Sequence, residues 1–317
     1  YSFNASHALS YAYDSVYGAY AKAHYPFEFY TVMLQHYADK GNKDKVIAFK
    51  HEMLEFAGIK EGAYKFGLDN RKFTMDKKNR VIHPSLSSIK GFSQTVAELL
   101  YELGQQRYKD FLEVLIVLKE HSISDAKIQD LINIEYFSDY GDIKYLMRYL
   151  EMFNQFRTGK GFLKTLKKEK GFLLGIDFDM IRRHCESETV KTFSKLDSIS
   201  IIKECMVKVE EKTTNKEKLL RRREVLGYCD VIDKKYSGYC MVEEVNTKYA
   251  PKISLYALAN GSIIDVKIPQ KCYTTPITKD SIVQVIDAEY VPKLKWIDEK
   301  WVKQTEKEWV VSEYKVY

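Results

Sequence analysis

The chain has 317 residues, with 50 Lys and Arg against 44 Asp and Glu, a net charge of +6 at neutral pH. Hydrophobic residues make up 45% and charged residues 30%, which excludes a wholly disordered chain and supports two or three packed domains at this length. No apolar run approaches the roughly 18 residues that a membrane-spanning helix needs, and the N-terminus lacks the basic and apolar segments of a signal peptide, so a cytoplasmic protein with no membrane partner is expected.

The first residue is Tyr1 rather than Met, which sets up the expectation that the sequence begins inside a longer protein. Cys185, Cys205, Cys229, Cys240 and Cys272 are odd in number and form no CxxC pair. Reduced thiols are expected, with neither a zinc site nor a disulfide framework.

Proline divides the chain. None occurs between Pro84 and Pro251, so that stretch is free to be helical, while Pro251, Pro269, Pro276 and Pro292 accompany short β-branched runs. The expected plan is a multi-domain α+β protein, with a mainly helical N-terminal two-thirds followed by a C-terminal β-barrel.

Residues 6–23 read as a tyrosine-rich helix that Ser6 could cap, and residues 28–37 as a second. Residues 44–57 read as a third, with Val46, Phe49, Met53 and Phe56 on its apolar face and Gly58 at the C′ position. A small hairpin is predicted across residues 73–83, turning at Lys77-Lys78-Asn79. Helices follow over 93–102, 110–118, from Ser124, and over 142–156. Two basic clusters come next: Arg157, Lys160, Lys164, Lys167, Lys168 and Lys170, then Lys216, Lys218, Arg221, Arg222 and Arg223. They fit either phosphate contacts or solvated helix faces.

From Gly238 the pattern changes to strands, over 239–247, 253–259, 262–268, 281–288 and 309–316, with Asn260-Gly261 as a type I′ turn signal. Five short strands fit an OB-type barrel, with a small sandwich as the alternative. Lys252, Tyr256 and Lys267, with Tyr239 and Tyr273, are its candidate single-strand DNA contacts, although tyrosine is also simply a good strand former. Trp296, Trp301 and Trp309 are expected to pack.

Ile89-Lys90-Gly91-Phe92-Ser93, ahead of a helix, reads as a helix-hairpin-helix turn. Its glycine lets backbone N–H groups approach a phosphate, Lys90 adds charge, and Ser93 stands where a second glycine is usual. An ordinary αα-turn is the alternative. Asp177-Phe178-Asp179 has the spacing of a two-metal carboxylate pair but no third carboxylate or sheet to present it. No catalytic residue, metal site or cofactor is assigned to this chain.

Tyr1-Ser2-Phe3-Asn4-Ala5-Ser6-His7-Ala8, followed by Lys22-Ala23-His24-Tyr25-Pro26-Phe27-Glu28-Phe29, resembles the fingers segment of the bacterial C-family replicative DNA polymerases, the polymerase III alpha subunits. Ala5 stands where the family carries lysine. The order of the hairpin, the Lys90-Gly91 turn, Glu224-Val225-Leu226-Gly227-Tyr228 and the strands after it is similar to the family's helix-hairpin-helix and OB regions.

The resemblance implies four segments: a fingers end at 1–83, a tandem helix-hairpin-helix-like region at 84–156, a basic helical linker at 157–223 and an OB domain at 224–317. It implies that Asn4, Ser6 and His7 lie near the nascent base pair, and that Lys90, Gly91 and Ser93 grip primer–template duplex. The catalytic palm, with the Mg it would bind, is implied to lie upstream of Tyr1, making this chain the inactive C-terminal part of a DNA-directed DNA polymerase. Sliding clamp and clamp loader are further implied partners. The clamp-binding candidate is Asp177, Phe178, Asp179, Met180 and Ile181, with Tyr149-Leu150-Glu151-Met152-Phe153 as a weaker match. A protein-docking module with little DNA affinity is the alternative function.

Overall fold

The computed structural model describes residues 5–159, 161–173, 177–207, 212–248, 251–297 and 300–317. Its contacts form two compact units, one of residues 1–60 with 219–317, the other of Glu61–Lys218.

The first unit opens with helices α1 (Ala5–His24), α2 (Pro26–Asp39) and α3 (Lys43–Ala57). Ser6 lies within α1 rather than capping it. Pro26 is the first residue of α2, where its missing N–H costs no hydrogen bond. Asn42 caps α3 by accepting from the Lys45 N–H at 3.1 Å, and Gly58 ends it at φ 61°. Val46 and Met53 face inward as expected, whereas Phe56 is 75% exposed. The position facing inward in its place is Lys50, whose ammonium reaches the Tyr228 hydroxyl at 2.5 Å.

The second unit begins with strands β1 (Lys60–Glu61), β2 (Thr74–Asp76) and β3 (Val81–His83), a sheet in the order β1-β3-β2. The β2–β3 turn is held by Asp76, which accepts from the Asn79 backbone N–H (3.0 Å) and side-chain amide (2.7 Å). Helices α4 (Gln94–Gly104), α5 (Phe111–Glu120), α6 (Asp125–Asn133) and α7 (Ile143–Phe156) follow. Ser93, Asp110, Ser124 and Asp142 cap them in turn. Their apolar stripes bury Leu100, Leu115, Leu118, Leu131, Leu146, Leu150 and Phe153. Each such side chain contributes about 1.5–3 kcal/mol relative to exposure.

Residues 157–223, expected as a basic helical linker, carry short strands between their helices. They carry β4 (Arg157–Thr158), β5 (Gly161–Phe162), β6 (Thr165–Lys167), α8 (Lys168–Leu173), α9 (Phe178–Arg183), β7 (Cys185–Glu188), β8 (Thr192–Leu196), α10 (Ser198–Val207) and α11 (Asn215–Leu226). β6, β8 and β7 form a sheet in that order, with Leu166 and Phe193 paired and buried. Thr189 turns the β7–β8 hairpin by accepting from the backbone N–H groups of Lys191 and Thr192. α11 opens with a capping box in which Glu217 N–H donates to the Thr214 hydroxyl (3.2 Å) and Thr214 N–H to the Glu217 carboxylate (2.8 Å).

The first unit resumes at Leu219 with a closed five-stranded barrel: β9 (Tyr239–Asn246), β10 (Lys252–Ala257), β11 (Ile263–Lys267), β12 (Ile282–Ile297) and β13 (Lys300–Val316). The order around it is β9-β10-β11-β13-β12, antiparallel except for the β11–β13 pair. Val242, Ile253, Leu255, Val266, Val283 and Val311 fill its interior.

Two details differ from expectation. Asn260 keeps a negative φ, so the β10–β11 connection is not a type I′ turn. Gly261 alone takes the left-handed conformation, at φ 74°, and its N–H closes a wider loop onto the Ala257 carbonyl at 2.7 Å. In addition, β12 and β13 span 16 and 17 residues, and their pairing continues past the barrel to Trp296 opposite Trp301.

Candidate nucleic-acid interface

The turn before α4 is built on a left-handed glycine ahead of a capped helix. A short 3-10 helix, Leu86–Ser88, leads into Ile89, whose carbonyl accepts from the Phe92 N–H at 3.1 Å. Gly91 takes φ 92°, and a methyl group there would meet no atom within 4 Å. Phe92 is buried and anchors the turn, Lys90 and Gly91 are exposed, and Ser93 accepts from the Val96 N–H at 3.3 Å. The arm before the turn is a single 3-10 turn, not an α-helix.

A left-handed residue ahead of a capped helix recurs at His121–Ser124, which sequence reading passed over, although this turn is closed differently, by the Ile123 N–H onto the Leu118 carbonyl at 3.0 Å. Ser122 takes φ 60°, Ile123 is buried, and Ser124 caps α6. Here α5 supplies a full helical arm. The signal in the sequence was the echo of Gly91-Phe92-Ser93 in Ser122-Ile123-Ser124, hidden because serine replaces glycine at the left-handed position.

At the N-terminus, Ser6 and His7 are exposed on α1, His7 against the Tyr11 ring at 5.7 Å, while Asn4 lies outside the described residues. On the barrel, Lys252 is exposed and pairs directly across from Lys267, whose ammonium is 3.4 Å from Glu308. Tyr256 is only 2% exposed, in a core with Leu219, Cys229, Met241 and Leu258, and cannot offer its face to a base. Tyr273 packs against the barrel core and its hydroxyl accepts from the Ile277 N–H at 2.9 Å.

The clamp-binding candidate is not an exposed extended peptide. Phe178 to Ile181 are helical in α9, Met180 and Ile181 are buried, and Asp177 caps the helix by accepting from the Asp179 N–H at 2.9 Å. Tyr149 to Phe153 lie in α7, with all but Glu151 buried. Asp179 pairs with Arg182 at 2.5 Å, so the Asp177–Asp179 pair is used in local structure. Among the described residues no three His, Cys, Asp or Glu side chains converge as a metal site, and no helix is long and apolar enough to cross a membrane.

The second basic cluster is largely internal. Arg222 grips the buried Asp230 through Nε (2.7 Å) and Nη2 (2.6 Å). Arg223 is buried and joins Glu243 (2.7 Å), Asp280 (2.9 Å) and the Val242 carbonyl (3.3 Å). Lys218 pairs with Glu135 at 2.6 Å. In the first cluster Lys168 pairs with Glu188, whereas Lys164, Lys167 and Lys170 are exposed; Lys160 lies outside the described residues.

No family model matches the chain. Among curated proteins it is similar to several named DNA polymerase III subunit alpha. That of Ureaplasma parvum is 30% identical over 143 residues, 44% of this chain and 14% of the relative. That of Aquifex aeolicus is 34% identical over 111 residues, 35% of this chain and 9% of the relative. That of Vibrio cholerae is 22% identical over 241 residues, 72% of this chain and 18% of the relative. The matches thus span less than a fifth of the length of these relatives.

Proposed function

We propose that this chain is the DNA-gripping, C-terminal portion of a replicative DNA polymerase alpha subunit, with nucleotidyl transfer left to a palm domain elsewhere in the polymerase. The observation that carries the reading is the turn at Lys90–Ser93, in a chain similar to such subunits. Its open left-handed glycine and capped helix N-terminus offer N–H donors to a phosphate with no side chain in the way. The His121–Ser124 turn supplies the second member of a tandem helix-hairpin-helix-like pair. The closed barrel, with β11 and β13 parallel, has the strand count of an OB domain, and its Lys252–Lys267 rim is the surface for template single strand.

Binding of a labelled primer–template duplex, followed by anisotropy across a salt series, tests this. Each phosphate contact contributes a slope of about −0.9 in log K against log salt. Lys90→Glu should weaken duplex binding more than single-strand binding. Equal loss on both would overturn the division of labour, and no binding of either at low salt would overturn the reading.

A further inference from the structure

The face of the β12–β13 hairpin that lines the barrel does not stop where the barrel stops. Ala288 pairs with Val311, which is buried in the barrel core. One step outward on the same face Tyr290 pairs with Trp309, and one step beyond that Pro292 pairs with Lys307. Side chains alternate between faces along a strand, so positions two apart share one side.

Inside the barrel this face is covered by the other strands. Beyond it Tyr290 is 54% exposed and Trp309 39% exposed. Their ring centroids are 5.2 Å apart with planes tilted by 39°, and the Lys307 ammonium lies 5.7 Å from the Tyr290 ring.

The register also fixes which rim this is. Trp309 pairs with Val266, Val310 with Lys267, and Lys267 with Lys252. Tyr290, Trp309 and Lys307 therefore share one face at one end of the barrel, while Lys267 and Lys252, each next to an inward-facing core residue, lie at the same end on its outer face. Adjacent exposed rings of this size make an apolar patch of the kind that marks an interaction site. Paired aromatics with a lysine beside them fit a single-stranded nucleic acid, because every base has a π-face and the cation can meet the backbone.

We propose that Tyr290 and Trp309 form the stacking platform for single-stranded DNA on this barrel, with Lys307 contacting its phosphates. This rests on the DNA-binding reading above and replaces Tyr256 as the stacking residue. The platform takes bases without regard to sequence, so it serves any unpaired strand leaving the duplex.

The full chain is titrated with fluorescein-labelled oligothymidylate of about 15 nucleotides, within the range one OB domain spans, and in parallel with a blunt duplex. Tyr290→Ala should weaken single-strand binding by about 5- to 100-fold, the loss of one stacked base, and leave duplex binding unchanged. Trp309→Ala should do the same, with Trp309→Phe restoring most of the affinity. Since Trp309 adjoins the core, thermal melting of each variant checks the fold, and exposed Tyr290 supplies the independent reading. Oligothymidylate should also quench tryptophan emission in the wild type more than in Trp309→Phe.

Unchanged single-strand affinity in Tyr290→Ala, with wild type binding both probes, overturns the platform while the DNA-binding reading stands. Equal loss on both probes also overturns it. Failure of the wild type to bind either probe overturns the platform and the wider reading together.

Discussion

Arg222 lies in a basic run that sequence reading offered to phosphate, yet its guanidinium is committed to Asp230. The carboxylate is 4% exposed and the guanidinium 17%, with Nε 2.9 and 2.7 Å from the two carboxylate oxygens and Nη2 2.6 Å from one. Arg222→Ala leaves that carboxylate buried without its fork. Breaking a buried pair costs about 3–5 kcal/mol, and the partial exposure of Arg222 lowers the expectation here to about 2–4 kcal/mol. Arg222→Lys should recover only part of it, because an ammonium cannot make the bidentate contact.

Asp230→Ala removes the stranded charge, so the double variant should lose less than the sum of the singles, with a coupling of about 1–3 kcal/mol. Urea unfolding followed by tryptophan emission measures this. Stability losses below about 1 kcal/mol with no coupling would refute the reasoning. So would unchanged stability with a salt slope for duplex binding reduced by about 0.9, the signature of a lost phosphate contact.

Gly261→Ala should destabilise the chain by about 1–3 kcal/mol, seen in the same urea titration, because a left-handed φ of 74° strains any side chain. The new methyl would also lie 2.8 Å from the Ile232 side chain and 2.9 Å from His51 Nε2. Burial holds the His51 pKa below the ordinary histidine value, so NMR titration should show it rising toward that value once the ring is displaced. Glu217, accepting from the Thr214 N–H and paired with Lys144, is lowered to about 2. Its contribution is full above the ordinary carboxylate pKa and fades as pH falls through about 2, so the melting difference between wild type and Glu217→Gln should shrink on acidification. Cys229 and Cys240 are pushed by burial up to about 12 and about 11, and should resist a thiol reagent at neutral pH until the chain is unfolded, while half-buried Cys185, Cys205 and Cys272 react first.

The parts of the fold legible in the sequence were those fixed over a few residues. Asp110, Ser124, Asp142 and Gly58 mark helix ends because a cap is made within three or four positions. The five strands showed in their alternation, but the length of β12 and β13 did not. Their outer halves pair only with each other, so no buried face imposes a pattern, and lysines there read as loop. Tyr256 and Phe56 exchanged the roles expected of them for one reason. An apolar stripe predicts burial only where another element covers it, and that partner is distant in sequence. Tyr256 is covered by the α11 side of the unit, as Leu219 in its core shows, while Phe56 is covered by nothing that excludes water.

The same reasoning explains the grouping of the first and last segments. Read linearly, residues 1–60 and 219–317 belong to different functional parts. In the fold, α3 touches the second of these at successive points along one face. Lys43 donates to the Leu226 carbonyl at 3.2 Å and so caps the end of α11. About two turns further on, Lys50 meets the Tyr228 hydroxyl, and His51 lies 5.9 Å from the Tyr256 ring, beside Gly261. Positions 43, 50 and 51 are spaced by about two helical turns, so one helix face carries all three contacts. A charge at a helix C-terminus, a buried ammonium–phenol hydrogen bond and a packed imidazole each require their partner at fixed distance. Of these, the buried Lys50–Tyr228 hydrogen bond, made by a charged donor, contributes about 1.5–3 kcal/mol. α3 is therefore held to the barrel more tightly than its modest apolar stripe would achieve. The exposed faces of α1 and the β12–β13 hairpin are consequently carried on one unit, although about 300 residues separate Ser6 and His7 from Trp309 in the chain.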